Sequence, residues 1–175
     1  MKFLSEVKIE FKYPDFIGQA SLLKKNLPGL IAATLQTQRA MIFDREGAYN
    51  GREKWKPLKC RDGQILSKRG TLRKSIGPMP AGPTTPGFAT GSIVRYATGI
   101  VTIGTNIRYA HVHEKGAVIV PVNKKALRYK CGRRWVFSKK SVIPARPFGD
   151  FTHQDIEEIK DTVENHIDAV MKGLS

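Results

Sequence analysis

The sequence predicts an α+β domain, with an antiparallel sheet of about five strands packed against two main helices and long loops between them. Residues 27–43 and 152–173 carry apolar side chains at helical spacing. Several short segments are rich in β-branched residues or alternate apolar with polar residues, as strands do. Stretches rich in glycine and proline separate these segments. With 175 residues, the whole chain, 1–175, is expected to form one domain.

The N-terminal part is predicted to contain a strand, a helix and a long loop. Residues 7–13 alternate apolar and polar side chains, as a half-buried strand does. The helix at 27–43 would have Pro28 in its first turn, where the missing backbone N–H costs no hydrogen bond. Residues 44–64 contain several glycines and few apolar side chains, so we expect a loop held to the body by Trp55.

The middle of the chain is predicted to pass from helical turns through a loop into a hairpin. Residues 63–76 indicate short helical turns, and residues 77–91 are too rich in proline and glycine for a regular element. The segments 92–96 and 100–104 are β-rich and separated by a short turn, which predicts a hairpin. Residues 109–115 indicate one or two further helical turns.

The C-terminal part is predicted to contain a strand at 117–122, a basic hairpin at 124–140 and the helix at 152–173. In the hairpin, strands at 127–129 and 135–137 flank a turn. Thr152 begins the final helix, with an acidic residue three positions on, as in a capping box. The apolar face of this helix is predicted to be Ile156, Ile159, Val163, Ile167, Val170, Met171 and Leu174. The opposite, solvent face is predicted to be Glu157, Glu158, Asp161, Glu164 and Asp168.

Charge is large and unevenly spread. The net charge is +15, yet residues 152–175 hold six acidic and only two basic side chains. Residues 124–146 hold nine basic side chains and no acidic ones. Such a field attracts nucleic acid or an acidic protein partner. The candidate contacts in the hairpin are Lys124, Lys125, Arg128, Lys130, Arg133, Arg134, Lys139 and Lys140.

The aromatic residues of this hairpin allow two interpretations. Tyr129, Trp135 and Phe137 interleave with the cations, which suits phosphate contacts and base stacking. Alternatively, Leu127 and these three aromatics fill a core face while the cations face water. The sequence leaves both interpretations open.

Catalytic and metal-binding patterns are weak. On a strand, His111 and His113 would point to one side and would suit zinc, but no further ligands stand at a recognisable spacing; on a helix they share no face. Neither a nucleophile motif nor a carboxylate cluster for Mg²⁺ is found. We therefore predict no enzymatic activity and no cofactor, with a small nuclease or other hydrolase as the least favoured alternative. Cys60 and Cys131 form no C-x-x-C pair and indicate a reducing compartment more than a disulfide. No apolar run of ~18 residues and no signal peptide is recognised.

Four short motifs follow one another in a characteristic order. They are W-x-P-L, G-x-L-R-x-S, Y-A-x-x-H and A-R-P-F. Over roughly residues 30–170 the chain resembles the phage virion morphogenesis family, which includes tail-completion proteins of Mu-like and P2-like phages. One departure is Glu114-Lys115-Gly116, where the family often has Gln-x-Gly. The motif residues here are Trp55, Pro57, Leu58, Gly70, Leu72, Arg73, Ser75, Tyr109, His113, Gly116, Arg146, Pro147 and Phe148.

The resemblance implies a non-enzymatic virion protein that completes the tail and joins it to the head. It implies a ring, sixfold or twelvefold, at the neck or the head-proximal end of the tail. The implied partners are further copies of the chain, the neighbouring head–tail connector and tail tube proteins, and DNA in the channel, with no membrane. The implied location is the virion, and the host cytoplasm during assembly. In such a ring, the acidic C-terminal helix of one subunit would pair with the basic hairpin of the next.

The motif residues suggest packing roles. Tyr109, Ala110 and His113 are expected on the inward side of a short helix, with His113 packed and hydrogen-bonded. Phe148 is expected in the core, and Arg146 is expected to be free for a bidentate contact with a carboxylate.

Overall fold

The computed structural model describes residues 6–10, 20–67, 69–76, 92–97 and 100–173. Within these ranges seven strands and four helices confirm the α+β class. The predicted loop at 77–91 and residues 11–13 of the predicted first strand lie outside the described residues. The elements are β1 (Glu6–Glu10), α1 (Ala20–Asp44), α2 (Thr71–Ile76), β2 (Ser92–Ala97), β3 (Ile100–Thr105), α3 (Ala110–Lys115), β4 (Ala117–Ile119), β5 (Leu127–Cys131), β6 (Arg134–Ser138), β7 (Ser141–Ile143) and α4 (His153–Met171).

The described strands form three small antiparallel sheets rather than a single five-stranded one. The first has the order β1-β3-β2 and includes the predicted hairpin, with residue 94 opposite residue 103. The others are the pairs β4–β7 and β5–β6. β4 ends before Pro121, which has no N–H for a ladder, and the β5–β6 hairpin is inserted between β4 and its partner. The strand β7 was not predicted because three residues show too little alternation.

Helix α1 begins at residue 20, so Pro28 lies inside it and not in its first turn as predicted. A proline in a helix interior removes one intrahelical hydrogen bond and crowds the preceding turn, yet α1 continues through Pro28 with Leu27 and Ile31 buried before and after it. Leu35 and Phe43 on this helix are fully buried. They belong to two hydrophobic clusters, one against β3 and α4 and one around Trp55 and Phe148.

Helix α4 begins as predicted, because Thr152 Oγ1 accepts from Asp155 N and Asp155 Oδ2 accepts from Thr152 N. Its predicted apolar face is only partly buried. Ile159 and Val170 are in the core, whereas Ile156 is 44% exposed and Met171 is 54% exposed. In the part of the chain that the structure describes, no helix is long and apolar enough to cross a bilayer.

Candidate functional site

The W-x-P-L and A-R-P-F motifs meet in the protein core. The indole Nε1 of Trp55 donates to the carbonyl of Pro147 at 3.1 Å. Phe43 packs edge-on against the Trp55 ring, with 5.5 Å between centroids, and lies 5.3 Å from the ring of Phe148. Gly47 lies beneath the indole with φ of 98°, and a Cβ there would stand 2.6 Å from Trp55 Cδ1. These contacts explain how one tryptophan holds the long 44–64 loop to the body, as predicted.

The Y-A-x-x-H motif joins the same region through its last residues. Arg146 N donates to the carbonyl of His113 at 2.7 Å. The buried carboxylate of Glu114 accepts from Phe148 N at 2.9 Å and from Gly149 N at 3.1 Å. Burial raises the pKa of Glu114 above its usual value, and the two backbone N–H groups oppose that rise. The residue at which this chain departs from the family pattern thus anchors the A-R-P-F segment.

Gly116 allows the close approach of these two segments. Its φ is 74°, and a Cβ at this position would lie 2.8 Å from Ala145 N and 2.9 Å from Ile143 O. A side chain would therefore be strained by conformation and would clash with backbone.

The G-x-L-R-x-S motif is also used for internal contacts. Leu72 is 1% exposed in the core around Trp55. Arg73 binds Asp44 with two hydrogen bonds of 2.8 and 2.7 Å. The buried Ser75 hydroxyl lies 2.9 Å from that of Thr105 on β3.

A buried charge network connects α1, the 44–64 loop and the start of α4. Asp155, which is fully buried, is bound by Arg52 and by Asn50 Nδ2 at 2.8 Å. Arg39, 1% exposed, approaches the same carboxylate at 3.8 Å and donates to Asp150 O at 2.9 Å. Burial lowers the pKa of Arg39 to about 10, and attraction to Asp155 opposes that shift. Burial would raise the pKa of Asp155, but hydrogen bonds from Arg52, Asn50 and the Thr152 backbone outweigh it and hold that pKa below its usual value.

Glu158 was predicted to lie on the solvent face of α4, but its carboxylate is bound within this network. Its Oε2 accepts from Gln38 Nε2 at 2.9 Å, from Asn50 Nδ2 at 3.0 Å and from Tyr49 Oη at 3.1 Å. Charge alone suggested that Glu158 faces water, because the sequence does not show that the "AYNGR" loop folds over this turn of the helix. We call the four motifs with this network the motif junction (residues 38–58, 70–75, 109–116 and 145–158).

An open cleft of about 660 Å³ lies beside the motif junction. We call it the arginine cleft, because Arg61, Arg69 and Arg146 line it and none of its lining residues is acidic. The remaining lining residues are Leu58, Leu66, Gly70, Thr71, Leu72, Tyr109 and His113. Members of all four motifs therefore meet at its surface, although no pattern in the sequence linked Arg61 or Arg69 to them.

Arg146 and Tyr109 are not placed as predicted. Arg146 is only 5% exposed, and its Nη2 donates to the carbonyl of Lys56 at 3.1 Å instead of meeting a carboxylate. Tyr109 is 46% exposed, because it precedes the first turn of α3 and its ring lies over that of His113, 5.9 Å away. His113 is half-buried; burial, and then nearby Arg146, lower its pKa. Ala110 and Phe148 are buried as expected.

The two-stranded sheets form a second candidate surface, which we call the β ribbons (β4–β7 and β5–β6). In β5–β6, Trp135 is 56% and Phe137 67% exposed, so they do not fill a core face. They stand opposite Lys130 and Arg128 across the ladder, and the Arg128 guanidinium lies 4.2 Å from the centre of the Trp135 ring. The interpretation in which Leu127 and the aromatics fill one core face is wrong. Leu127 and Tyr129 pair with Ser138 and Val136, so Trp135 and Phe137 lie on the other face of the ribbon. All eight predicted contact cations are exposed.

The β4–β7 ribbon carries a bare aliphatic face. Val118 is 60% exposed and stands directly opposite Val142, which is 61% exposed. Val120 and Val122 follow β4 in the chain and are also exposed, at 56% and 91%. Isolated exposed valines are ordinary, but a cross-strand pair with two further exposed valines close by in the chain is a candidate contact surface.

The two cysteines form a disulfide, contrary to the prediction of unpaired thiols. They are separated by 71 positions, so spacing could not reveal the pair. Cys131 ends β5, and the next residue, Gly132, donates its N–H to the carbonyl of Cys60 at 2.8 Å. The turn of the β5–β6 ribbon is therefore bound to the 44–64 loop.

Metal ligands do not gather in the described ranges. No group of three or more histidine, cysteine, aspartate or glutamate side chains is placed to hold an ion there. His111 is exposed and His113 half-buried on the short helix α3, so the two rings do not share a site.

The shared motifs thus bind one another inside the protein, and the ribbons carry exposed apolar side chains. The chain belongs to the phage virion morphogenesis family, whose profile matches residues 21–168. Mu-like prophage FluMu G protein 2 of Haemophilus influenzae is 28% identical over 156 residues, which cover 89% of this chain and 87% of that protein. The resemblance inferred from the four motifs is thus confirmed. No solved structure matched the chain.

Proposed function

We propose that this protein completes the phage tail and joins it to the head, as a subunit of a ring at the neck or the head-proximal end of the tail. Family membership and the similarity to a Mu-like prophage protein support a role in building the virion. The observation that carries the proposal further is the exposure of the β ribbons. Of the ten large hydrophobic side chains that are exposed among the described residues, seven lie between residues 118 and 142. A surface of this kind serves to contact another protein.

A closed ring suits the distribution of charge. Head-to-tail contacts place different surfaces of identical subunits against each other, so opposite charges on the two surfaces strengthen every contact in turn. Helix α4 exposes Asp161, Glu164 and Asp168, whereas the 124–140 segment that contains the β5–β6 ribbon exposes eight cations. We propose a sixfold or twelvefold ring, with the head–tail connector and tail tube proteins as neighbours and packaged DNA in the channel.

We propose a structural rather than an enzymatic role. The buried carboxylates of Asp155 and Glu114 and the partly buried carboxylate of Glu158 are occupied by hydrogen-bond donors of the chain itself. A carboxylate that is bound on several sides is poorly placed to hold a catalytic ion or to act as a general base.

The first test separates assembly from folding. The Val142→Asp variant is supplied to a phage whose own gene for this protein has been deleted. The control is Met171→Asp, because Met171 is similarly exposed but lies at the far end of α4. Val142→Asp should leave the melting temperature of the isolated protein unchanged and abolish its incorporation into purified virions. Met171→Asp should be incorporated normally. Equal incorporation of the two variants would contradict the proposed ribbon interface.

The second test addresses the charge pairing. Glu157→Lys with Asp161→Lys reverses two charges on α4 and spares Glu158, which the motif junction needs. If α4 meets the basic ribbon of the next subunit, the variant should lose the oligomer seen by native mass spectrometry of neck complexes released from virions. An unchanged oligomer mass would exclude this pairing.

Nucleic-acid binding by the 124–140 hairpin is the second candidate function. It is favoured by the shared exposed face of Arg128, Lys130, Trp135 and Phe137, which offers cations and aromatic rings side by side. Single-stranded nucleic acid binds to such faces by stacking and phosphate contact.

A titration with a single-stranded oligonucleotide tests this candidate. Binding should quench Trp135 fluorescence and weaken steeply with salt, since each neutralised phosphate releases counterions. Arg128→Gln should reduce the slope of affinity against salt, whereas Arg73→Gln, whose partner is Asp44, should not. An oligonucleotide that changes neither the Trp135 fluorescence nor the electrophoretic mobility of the protein would exclude the candidate.

A further inference from the structure

We propose that the arginine cleft binds an extended acidic segment of a neighbouring protein, which places a carboxylate among Arg61, Arg69 and Arg146 and an apolar side chain against the leucines. None of the lining residues belongs to the β ribbons, and the proposal does not depend on ring formation.

The first observation is positive charge without compensation. Three arginines line the cleft, and none of its lining residues is acidic. Among the described residues, none of these three forms a salt bridge, although other arginines of the chain do. Burial, and then the positive charge of Arg61, lower the pKa of Arg146. A carboxylate would offset that charge.

The second observation is the unmet hydrogen-bonding capacity of Arg146. A guanidinium has five N–H donors, and here one nitrogen binds the Lys56 carbonyl. Its Nε is buried and has no partner among the described residues, and the same holds for Nδ1 of His113 beside it. Buried polar atoms are nearly always hydrogen-bonded, and these two unpartnered atoms belong to side chains that line the same cleft. A buried guanidinium most readily donates two parallel hydrogen bonds to one carboxylate.

The third observation is the shape and lining of the cleft. A volume of about 660 Å³ lies in the range of clefts that enclose a few side chains. Leu58, Leu66 and Leu72 provide an apolar wall, and exposed Tyr109 stands at its edge. An acidic residue flanked by an apolar one fits both kinds of lining.

These features favour a polypeptide over the alternatives. The phosphates of duplex DNA lie on the outside of a wide cylinder and do not enter a recess lined by leucines. The acidic helix α4 of another copy is a rod about 10–12 Å across with its side chains, so it would reach a recess with the tips of its side chains only. An extended segment can insert successive side chains and is the occupant that we infer.

The experiment uses the full chain and three synthetic peptides. The probe is acetyl-Leu-Glu-Leu-amide, and the controls are the same peptide with glutamine in place of glutamate and with alanine in place of both leucines. Binding is followed by NMR, from the side-chain signals of His113 and Arg146. Only the first peptide should shift these signals at low concentration, with both controls at least about tenfold weaker, as expected for a lost charged hydrogen bond or lost apolar burial.

Variants separate the cleft from general electrostatics. Arg69→Gln removes an exposed lining cation and should weaken peptide binding without unfolding the protein. Arg133→Gln removes an exposed cation from the ribbon turn and should leave binding unchanged. Arg146→Lys should also weaken binding, and its melting curve shows whether the fold survives. If it does not, Arg61→Gln takes its place.

Three results would overturn the inference. One is equal binding of the glutamate and glutamine peptides. Another is an equal loss of affinity in Arg69→Gln and Arg133→Gln, which would indicate non-specific attraction. The third is a response of the His113 and Arg146 signals to inorganic phosphate or a DNA duplex but not to the glutamate peptide, which would assign the cleft to phosphate.

Discussion

The motif junction and the β ribbons treat charge and apolar surface in opposite ways. In the junction, Arg39 is 1% exposed and Asp155 is fully buried, so ionised groups lie where apolar groups are usual. On the ribbons, Trp135 and Phe137 are more than half exposed, while apolar groups are usually buried. The junction thus buries charged side chains of a kind usually found on the surface, and the ribbons expose aromatic side chains of a kind usually found in a core.

This contrast indicates a division of tasks. Buried ion pairs add little net stability over apolar packing, but they strongly disfavour alternative arrangements, because a misplaced partner leaves a buried charge alone. The junction therefore fixes one shape. Exposed apolar surface gains stability only when another molecule covers it, so the ribbons are suited to association.

The largest expected effect follows from breaking the junction at its centre. Asp155→Ala leaves Arg39 buried beside no carboxylate and also removes the capping box of α4, so we expect the free energy of unfolding to fall by about 3–5 kcal/mol. Urea denaturation measures this change. Asp161→Ala, on the exposed face of the same helix, should change it by less than about 0.5 kcal/mol. Similar losses of unfolding free energy in Asp155→Ala and Asp161→Ala would mean that the buried network contributes no more to stability than an exposed side chain does.

The next effect concerns the link between the two regions. Replacing Cys60 and Cys131 by serine removes a crosslink between positions 71 apart, and we expect a loss of about 2–4 kcal/mol. Reduction of the unmodified protein should give the same denaturation midpoint as the double variant, and reduction of the double variant should change nothing. An unchanged denaturation midpoint, both after reduction and in the double variant, would contradict a role of this bond in stability.

A pH titration sharpens the contrast at the edge of the junction. The folded pKa of His113 lies below its unfolded value of about 6.5, chiefly because the ring is partly buried. Its contribution to stability is therefore fully present above about pH 6.5 and is lost as the pH falls through the lower, folded pKa. Relative to His113→Gln, the unmodified protein should lose more stability between pH 7 and pH 5. The control His111→Gln alters an exposed ring and should follow the unmodified protein. Parallel curves for all three proteins would be the contrary result.

The smallest effect on folding is expected on the ribbons. Phe137→Ser removes a ring that is 67% exposed, so the free energy of unfolding should change by no more than about 0.5 kcal/mol. The yield of joined particles should nevertheless fall, because the proposed ribbon interface would lose this ring. A marked drop in melting temperature would show instead that the ring stabilises the free chain.

The sequence revealed the elements better than their assembly. The capping box at Thr152, the 92–105 hairpin and the burial of Trp55 and Phe148 depend on neighbouring residues or on strong apolarity, and they were predicted. The start of α1 was missed because a proline usually marks a first turn, whereas here the helix continues through Pro28 with Leu27 and Ile31 buried before and after it.

The candidate sites were harder to predict because they depend on contacts between distant segments. Asp155 was recognised as a cap, but its pairing with Arg52 joins positions 103 apart. Arg39 carried a signal that was not used, namely a cation within the apolar stripe of α1. For the hairpin, a shift of one residue in the phase of the ladder decided which side chains face water, and composition contains no information about that phase.

The bond between Cys60 and Cys131 has a mechanical consequence. It binds the turn of the β5–β6 ribbon to the same loop whose Trp55 is anchored in the core and hydrogen-bonded to Pro147. The ribbon is thus held at both ends, so a pull on its outer face is transmitted along residues 55–60 into the centre of the fold. Tension between neighbouring molecules would accordingly be borne by the whole subunit rather than by a hinge at the base of a hairpin.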